Sequence, residues 1–171
     1  AKEYALVKDA LAAHPMAQKL LPEVQGGAMR ADSVKAGLDA LAPYAPTWVA
    51  VHDAARPFLT AALLESLFAA CEDGMGVVPA LAVADTIRRY DTGQWHDVDR
   101  TGLLRIQTPQ FFPFDALRIC AQDAAASAAT DEAALWLAAG HPLRYVEGEE
   151  SLRKLTTAQD IAWAKERTQR M

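Results

Sequence analysis

The stretch Trp48-Val-Ala-Val-His-Asp-Ala-Ala-Arg-Pro-Phe-Leu59 decides the fold. Trp48 to Val51 is a short apolar, partly β-branched run, the pattern of a fully buried strand. It stops in a polar trio, His52, Asp53 and Arg56, spaced by alanines and ended by Pro57. In an open α/β sheet, ligands bind just outside the carboxyl ends of the strands. A carboxylate and a guanidinium placed there can face an anionic ligand and its metal ion. They can equally pair with each other and do no more than shape a turn.

Upstream, Arg30 to Leu41 has helical spacing in Val34, Leu38 and Leu41, with Asp32-Ser33 able to cap its start. The pair Gly26-Gly27 precedes it, and Pro43 to Pro46 is a loop. Met16 to Gln25 shows no clear strand pattern. Downstream, Thr60 is a credible N-cap for a helix over Ala61 to Cys71, with Leu63, Leu64, Leu67 and Phe68 as its buried stripe. Gly76 to Val83 is strand-like. From Asp85 to Gln110 the apolar period is lost. Thr86 to Tyr90, a turn at Asp91-Thr-Gly93, and Trp95 to Val98 read as a hairpin too polar for a buried sheet. Helices are expected over Phe114 to Ala126 and over Asp131 to Ala139, the second stopped by Gly140. A strand over Leu143 to Glu147 and a helix from Thr157 to Arg170 close the pattern. This alternation predicts one α/β domain over residues 1–171, with a mainly parallel sheet, helices on both faces and a protruding β-arm at about 86–106.

The bulk numbers agree with a globular domain. At 171 residues, 51% hydrophobic and 23% charged, the chain can bury a sizeable core. A net charge of −5 argues against non-specific nucleic-acid binding. Cys71 and Cys120 lie far apart without metal-type spacing, which suits free thiols in a reducing compartment. No apolar run has the length of a membrane span and no signal peptide is evident, so a cytoplasmic protein is expected.

Five further clusters carry chemistry-bearing residues. Gly26-Gly-Ala-Met-Arg-Ala-Asp-Ser33 puts glycines before a helix, where backbone N–H groups can approach a ligand, though such pairs are common. Asp85-Thr86 ends a strand but also suits a cap. Gln107-Thr-Pro-Gln-Phe-Phe112 is a proline-fixed turn between two amides and two aromatics, hard to explain as core. Thr130-Asp-Glu132 is a helix start when taken alone, and Arg153-Lys-Leu-Thr-Thr157 is a solvated basic pair.

Together, and in this order along the chain, Gly26-Gly-x-x-Arg-x-x-Ser33, His52-Asp-Ala-Ala-Arg-Pro57, Asp85-Thr86, Thr108-Pro-Gln110, Thr130-Asp-Glu132 and Lys154-x-Thr156 resemble the 2-C-methyl-D-erythritol 4-phosphate cytidylyltransferase family. The likeness runs from about Gly26 to the C-terminus. It departs near the start, where only Lys2-Glu-Tyr4 matches the end of a family motif. The glycine- and arginine-rich triphosphate loop, a segment after Tyr4 and a strand between Pro15 and Gly26 are lacking. Ala28 and Met29 stand where the family often has polar residues.

The resemblance implies a Rossmann-like nucleotidyltransferase domain that moves CMP from CTP onto 2-C-methyl-D-erythritol 4-phosphate and releases pyrophosphate, with Mg²⁺ as cofactor. Lys2 and Lys154 would flank the α-phosphate, and Asp53 would sit by the ribose and the metal. Gly27, Arg30, Ser33 and Ala54 would hold the cytidine. Arg56, Thr86, Arg100 and Thr108 would contact the acceptor. In this family the arm crosses into a second subunit, which implies a homodimer whose sites are completed by the partner. A ribitol 5-phosphate cytidylyltransferase and a nucleotide-binding protein without turnover are the alternatives. Some members are fused to the cyclodiphosphate synthase of the same non-mevalonate isoprenoid pathway.

Overall fold

The computed structural model describes residues 8–122 and 129–169, so Lys2 and the far end of the expected Phe114–Ala126 helix lie outside it. Seven strands are present in that range: β1 (Trp48–Val51), β2 (Gly76–Ala82), β3 (Ile87–Asp91), β4 (Gln94–Val98), β5 (Leu104–Ile106), β6 (Gln110–Pro113) and β7 (Leu143–Glu147). The main helices are α1 (Arg30–Leu41), α2 (Ala61–Ala69), α3 (Phe114–Cys120), α4 (Glu132–Ala138) and α5 (Ala158–Gln169). Single 3₁₀ turns cover Ala17–Lys19, Ala42–Tyr44 and Glu150–Leu152.

The α/β architecture is as the pattern predicts, but the sheet is not mainly parallel. Only β2 and β7 pair in parallel; β1–β6, β2–β6 and β2–β5 are antiparallel. The directions explain the difference. β1, β2 and β7 all run one way, as helical crossovers require. β1 and β2 are not adjacent, however, and the returning β6 fills the gap between them. The stretch Gln107 to Phe112, expected as a proline-fixed turn outside the core, instead leads into β6 and buries Gln110, Phe111 and Phe112, because the pairing that makes it a strand is with distant residues of β1 and β2. The carboxyl ends of β1, β2 and β7 still share one edge, and β6 begins there.

β5 and β6 form one line along β2, broken by a bulge. Ala80 faces Ile106 and Val77 faces Phe111. Val78 and Pro79 therefore stand opposite the four residues 107–110, and the Thr108–Pro109 peptide within them is cis. Alternation then sorts the core. Val78 and Phe112 join Val49, Leu38 of α1, Leu117 of α3 and Trp136 of α4 on one face. Val77 and Phe111 join Leu63 and Leu67 of α2 and Leu152 on the other. Helices cover both faces, as expected. Phe68 departs from the expected stripe: in the last turn of α2 it is 60% exposed and meets the core only edge-on to Phe111, with centroids 4.9 Å apart.

The hairpin β3–β4 is a separate two-stranded sheet whose strands pack chiefly on each other. Thr92 and Gly93 turn it with positive φ at both positions (49° and 84°), the geometry that matches strand twist in two-residue hairpins. Arg88 pairs with Asp97 across the strands, and Tyr90 lies against Trp95 with ring centroids 4.9 Å apart. Both rings remain mostly exposed, at 61% and 69%.

Candidate active site

The site grows from the turn that ends β1. The Arg56 N–H donates to Asp53 O at 2.9 Å, closing a tight turn over Ala54 and Ala55. His52 braces it: Nε2 donates to Arg56 O at 3.0 Å, because a carbonyl can only accept. In the neutral ring Nδ1 is then the acceptor, and the Thr108 hydroxyl donates to it at 3.0 Å. Thr108 Oγ1 in turn accepts the Asp53 N–H at 2.9 Å. The buried Thr108 thus sits beneath the turn and holds it to the bulge between β5 and β6.

Asp53 is the hub. Its carboxylate lies 2.9 Å from Lys154 Nζ, 3.7 Å from Arg56 Nε and 3.9 Å from Arg30 Nη2. Its side chain is 18% exposed. Burial alone would raise its pKa. The hydrogen bond and charge of Lys154, backed by Arg30 and Arg56, outweigh that and hold it below the usual carboxylate range. Arg56 is more deeply placed: Nη1 donates to Leu152 O at 2.9 Å, burial pulls its pKa down, and its buried Nε has no hydrogen-bond acceptor.

Arg30, first residue of α1, is fixed from the other side. Its two terminal nitrogens donate to the two oxygens of buried Glu132 at 2.6 Å each, a bidentate pair that raises its pKa further. Glu132 follows Asp131, the N-cap of α4, whose Oδ1 accepts the Ala134 N–H at 2.8 Å. Gln110 joins this start to β6, donating to Asp131 at 2.9 Å and accepting from the Ala133 N–H at 3.0 Å. Ahead of α1, Ser33 Oγ accepts the Gly27 N–H at 3.1 Å, and a Cβ at Gly27 would fall 2.2 Å from that of Asp32. Asp32 caps the helix by accepting the Met29 N–H.

Lys154 arrives on the segment after β7, which the Leu155 N–H anchors to Ala55 O at 2.8 Å. Beyond it, Asp160 secures the start of α5. It accepts from the Thr156 and Thr157 N–H groups at 3.0 and 2.9 Å, and Thr157 Oγ1 accepts the Asp160 N–H in return. With Arg153 also beside it, these bonds lower its pKa to about 2. A depressed carboxyl stabilises the fold above its unfolded pKa and loses that contribution as pH falls through the folded value. Asp160→Asn is therefore expected to melt a few degrees lower at pH 7, with the gap closing between about pH 4 and pH 2; thermal melts across that range check it. A polar pocket of about 810 Å³ opens beside Lys154, lined by Arg105, Arg153, Arg167 and Trp163 among others.

The structure therefore gathers Arg30, Asp53, Arg56, Thr108 and Lys154, with Ala54 on the turn and Gly27 and Ser33 at the entrance to α1. Thr86 and Arg100 stand apart. They flank the open end of the hairpin, are exposed, and make no hydrogen bond or ion pair with the Asp53 cluster. Glu132, Gln110 and Gln107 were missed as individual site residues. Their signal was a carboxylate directly after a helix cap and two amides around a proline, all polar groups among core residues. Among the described residues, no group of three or more His, Cys, Asp or Glu side chains is placed to hold a metal ion. Asp53 can offer one ionised carboxylate, so a Mg²⁺ ion fits here only where ligand phosphates complete its shell.

Fold and site together define an α/β protein that collects three cations around one carboxylate where strand ends meet. The chain belongs to the 2-C-methyl-D-erythritol 4-phosphate cytidylyltransferase family, whose profile matches residues 6–169. It is 46% identical over 151 residues to the bifunctional enzyme IspD/IspF of Rhodospirillum rubrum, an alignment covering 88% of this chain and 39% of that protein. The Granulibacter bethesdensis enzyme of the same name is also 46% identical, over 152 residues, with 86% and 40% covered. The chain thus spans about two fifths of the length of these curated relatives. Among solved structures, the cytidylyltransferase of Thermus thermophilus superposes with a TM-score of 0.76 at 32% identity, over 88% of this chain and 78% of that one. The 4-diphosphocytidyl-2C-methyl-D-erythritol synthase of Anaerococcus prevotii superposes with a TM-score of 0.78 at 27% identity, over 98% and 78%. Among the described residues no helix is long and apolar enough to cross a membrane.

Proposed function

We propose that this chain carries a site that transfers the cytidylyl group of CTP to the phosphate of 2-C-methyl-D-erythritol 4-phosphate. The carrying observation is Asp53 ringed by Lys154, Arg30 and Arg56, with the buried Arg56 Nε still lacking an acceptor. In the reaction, an oxygen of the acceptor phosphate bonds to the α-phosphorus, the bond to the β-phosphate bridging oxygen breaks, and pyrophosphate leaves. The attacking oxygen is already ionised at pH 7, so the chain's task is to juxtapose two polyanions and stabilise charge in line. Lys154 supplies a mobile cation for the α-phosphate, and Lys2, outside the described residues, is a second candidate. Arg56 and Thr108 serve the acceptor side; Gly27, Arg30, Ser33 and Ala54 serve the nucleoside. Mg²⁺, held by Asp53 and the phosphates, would neutralise charge on the triphosphate.

Pyrophosphate release from CTP, measured with methylerythritol phosphate and with ribitol 5-phosphate, with and without Mg²⁺, tests this. Faster release with the first acceptor, dependent on Mg²⁺, is expected. CTP binding with no release from either acceptor would leave a nucleotide-binding protein instead.

The reading includes a homodimer whose hairpins reach each other's sites. It is supported by the bare Tyr90 and Trp95 surface and by the separation of Arg100 from the Asp53 cluster in its own chain. Mixing Arg100→Ala with Lys154→Ala chains, each inactive alone, is then expected to restore activity at about a quarter of the sites, since half of the dimers are mixed and each has one intact site. A mixture that stays inactive after proven subunit exchange would place Arg100 in cis.

A further inference from the structure

We infer that Gln107 is a positioning residue for Lys154, acting through the backbone of residues 148–153; the inference rests on the role of Lys154 proposed above. Gln107 is 5% exposed; its main-chain N–H continues the β5–β2 pairing to Pro79 O at 2.8 Å, while both polar atoms of its side chain turn to residue 149. Its carboxamide lies edge to edge with the backbone of Glu149. Nε2 donates to Glu149 O at 2.8 Å, and Oε1 accepts the Glu149 N–H at 3.0 Å. The strand pairing explains why an amide is needed there. β7 follows β2 as far as Glu147, and the Gly148 N–H still reaches Ala80 O at 2.9 Å. One residue later the chain has left the sheet; the Glu149 carbonyl still accepts the Leu152 N–H of the next turn at 3.0 Å, but the Glu149 N–H would be unpaired in a half-buried place. The Gln107 side chain continues the ladder by one residue.

Gly148 is fitted to this clip. A Cβ there would stand 2.4 Å from Gln107 Oε1 and 3.3 Å from Ala80 O. The carboxylate of Glu149 is fixed as well, accepting from Thr60 Oγ1 at 2.6 Å and from Ser151 Oγ at 3.0 Å. Downstream, Arg56 holds Leu152 O and Ala55 holds the Leu155 N–H. Lys154 therefore hangs from a short span tied at both ends: to the Asp53 turn by Leu152 and Leu155, and to the β5–β6 bulge by Gln107. The same bulge carries Thr108, which holds the Asp53 N–H. Gln107 and Thr108 are adjacent residues that set the two halves of the 2.9 Å Lys154–Asp53 contact relative to each other.

The test is Gln107→Leu, which keeps the apolar bulk and removes both bonds, with Gly148→Ala as a second variant that displaces the amide without altering it. For each, turnover is expected to fall on the order of tenfold with KM for CTP nearly unchanged, because misplacement of a charge-stabilising group acts on the chemical step. In a Lys154→Ala background, the same changes are expected to add little, since the group they position is gone. Amide exchange over 149–155 is expected to quicken in both variants while β1 and β6 stay protected. Equal losses with and without Lys154, or unaltered exchange over 149–155, would overturn the inference. The exchange readout needs no substrate. If the wild-type chain proves inactive with CTP and polyol phosphates, the proposed function fails while exchange still decides whether Gln107 holds this span.

Discussion

Lys154→Ala is expected to lower turnover at least about a hundredfold while the fold stays intact, a barrier increase of roughly 3 kcal/mol. The side chain is 46% exposed, so little packing is lost with it. Losing its ion pair with Asp53 leaves that carboxylate still facing Arg30 and Arg56. Stability should therefore change by less than about 1 kcal/mol, the usual worth of a solvent-accessible pair. The large effect and the small one separate two roles. A lysine that merely neutralises Asp53 would give a stability change and no selective loss of turnover. A lysine that moves onto the α-phosphate gives the reverse. Steady-state pyrophosphate release and a thermal melt on the same preparation distinguish them, and near-wild-type turnover would remove Lys154 from the mechanism.

Asp53→Asn is expected to weaken the dependence on Mg²⁺ more than it weakens CTP binding, and to destabilise the chain before any ligand is added. The substitution keeps the shape but leaves three cations without the charge they share. Arg56 suffers most, being the most buried of them and already short of an acceptor at Nε. An unmatched, mostly buried charge costs several kcal/mol; Lys154 can turn to water and Arg30 keeps its bidentate pair with Glu132, which brings the expected loss to about 2 kcal/mol. For a chain of this size that corresponds to a melting point lower by about 4–8 °C. The pH dependence has a definite sign. The wild-type carboxyl titrates below the usual range, so its contribution is complete above about pH 4 and is lost as pH falls further. The variant lacks this contribution at every pH, and the two melting curves should converge in acid. A melting gap that persists at low pH, or an unchanged Mg²⁺ response, would count against this account of Asp53.

Local pattern made much of the fold legible. The bounds of α1 and β7 fall where spacing puts them, Thr60 caps α2 through the Leu63 N–H at 3.1 Å, and the hairpin turns at the expected residues. β6 was not legible. Gln107 to Phe112 reads as a proline-fixed turn, and only the pairing of Gln110–Pro113 between β1 and β2 reveals a buried strand there that returns. The site divided in the same way. Asp53 and Arg56 stand out because charged groups follow an apolar strand, whereas Lys154 reads alone as part of a solvated basic pair and enters the site only through the family resemblance. Glu132 and Gln107 do not stand out, because a carboxylate at a helix start and an amide beside proline each have a common local explanation. Their partners, Arg30 and the Glu149 backbone, lie 102 and 42 residues away. Long-range pairing of that kind leaves no periodic trace.

The bulge at 107–110 also has a meaning for how such a chain can change length. It places two more residues on its own side than β2 has opposite, and an even offset preserves which side chains face which helices. Losing or gaining a single residue there would swap Phe111 with Phe112 between the two core layers and turn Gln110 away from Asp131. Adding or losing a pair would leave both layers as they are. Insertions and deletions in this segment are thus constrained by parity, with steps of two tolerated where a step of one would turn the following strand over.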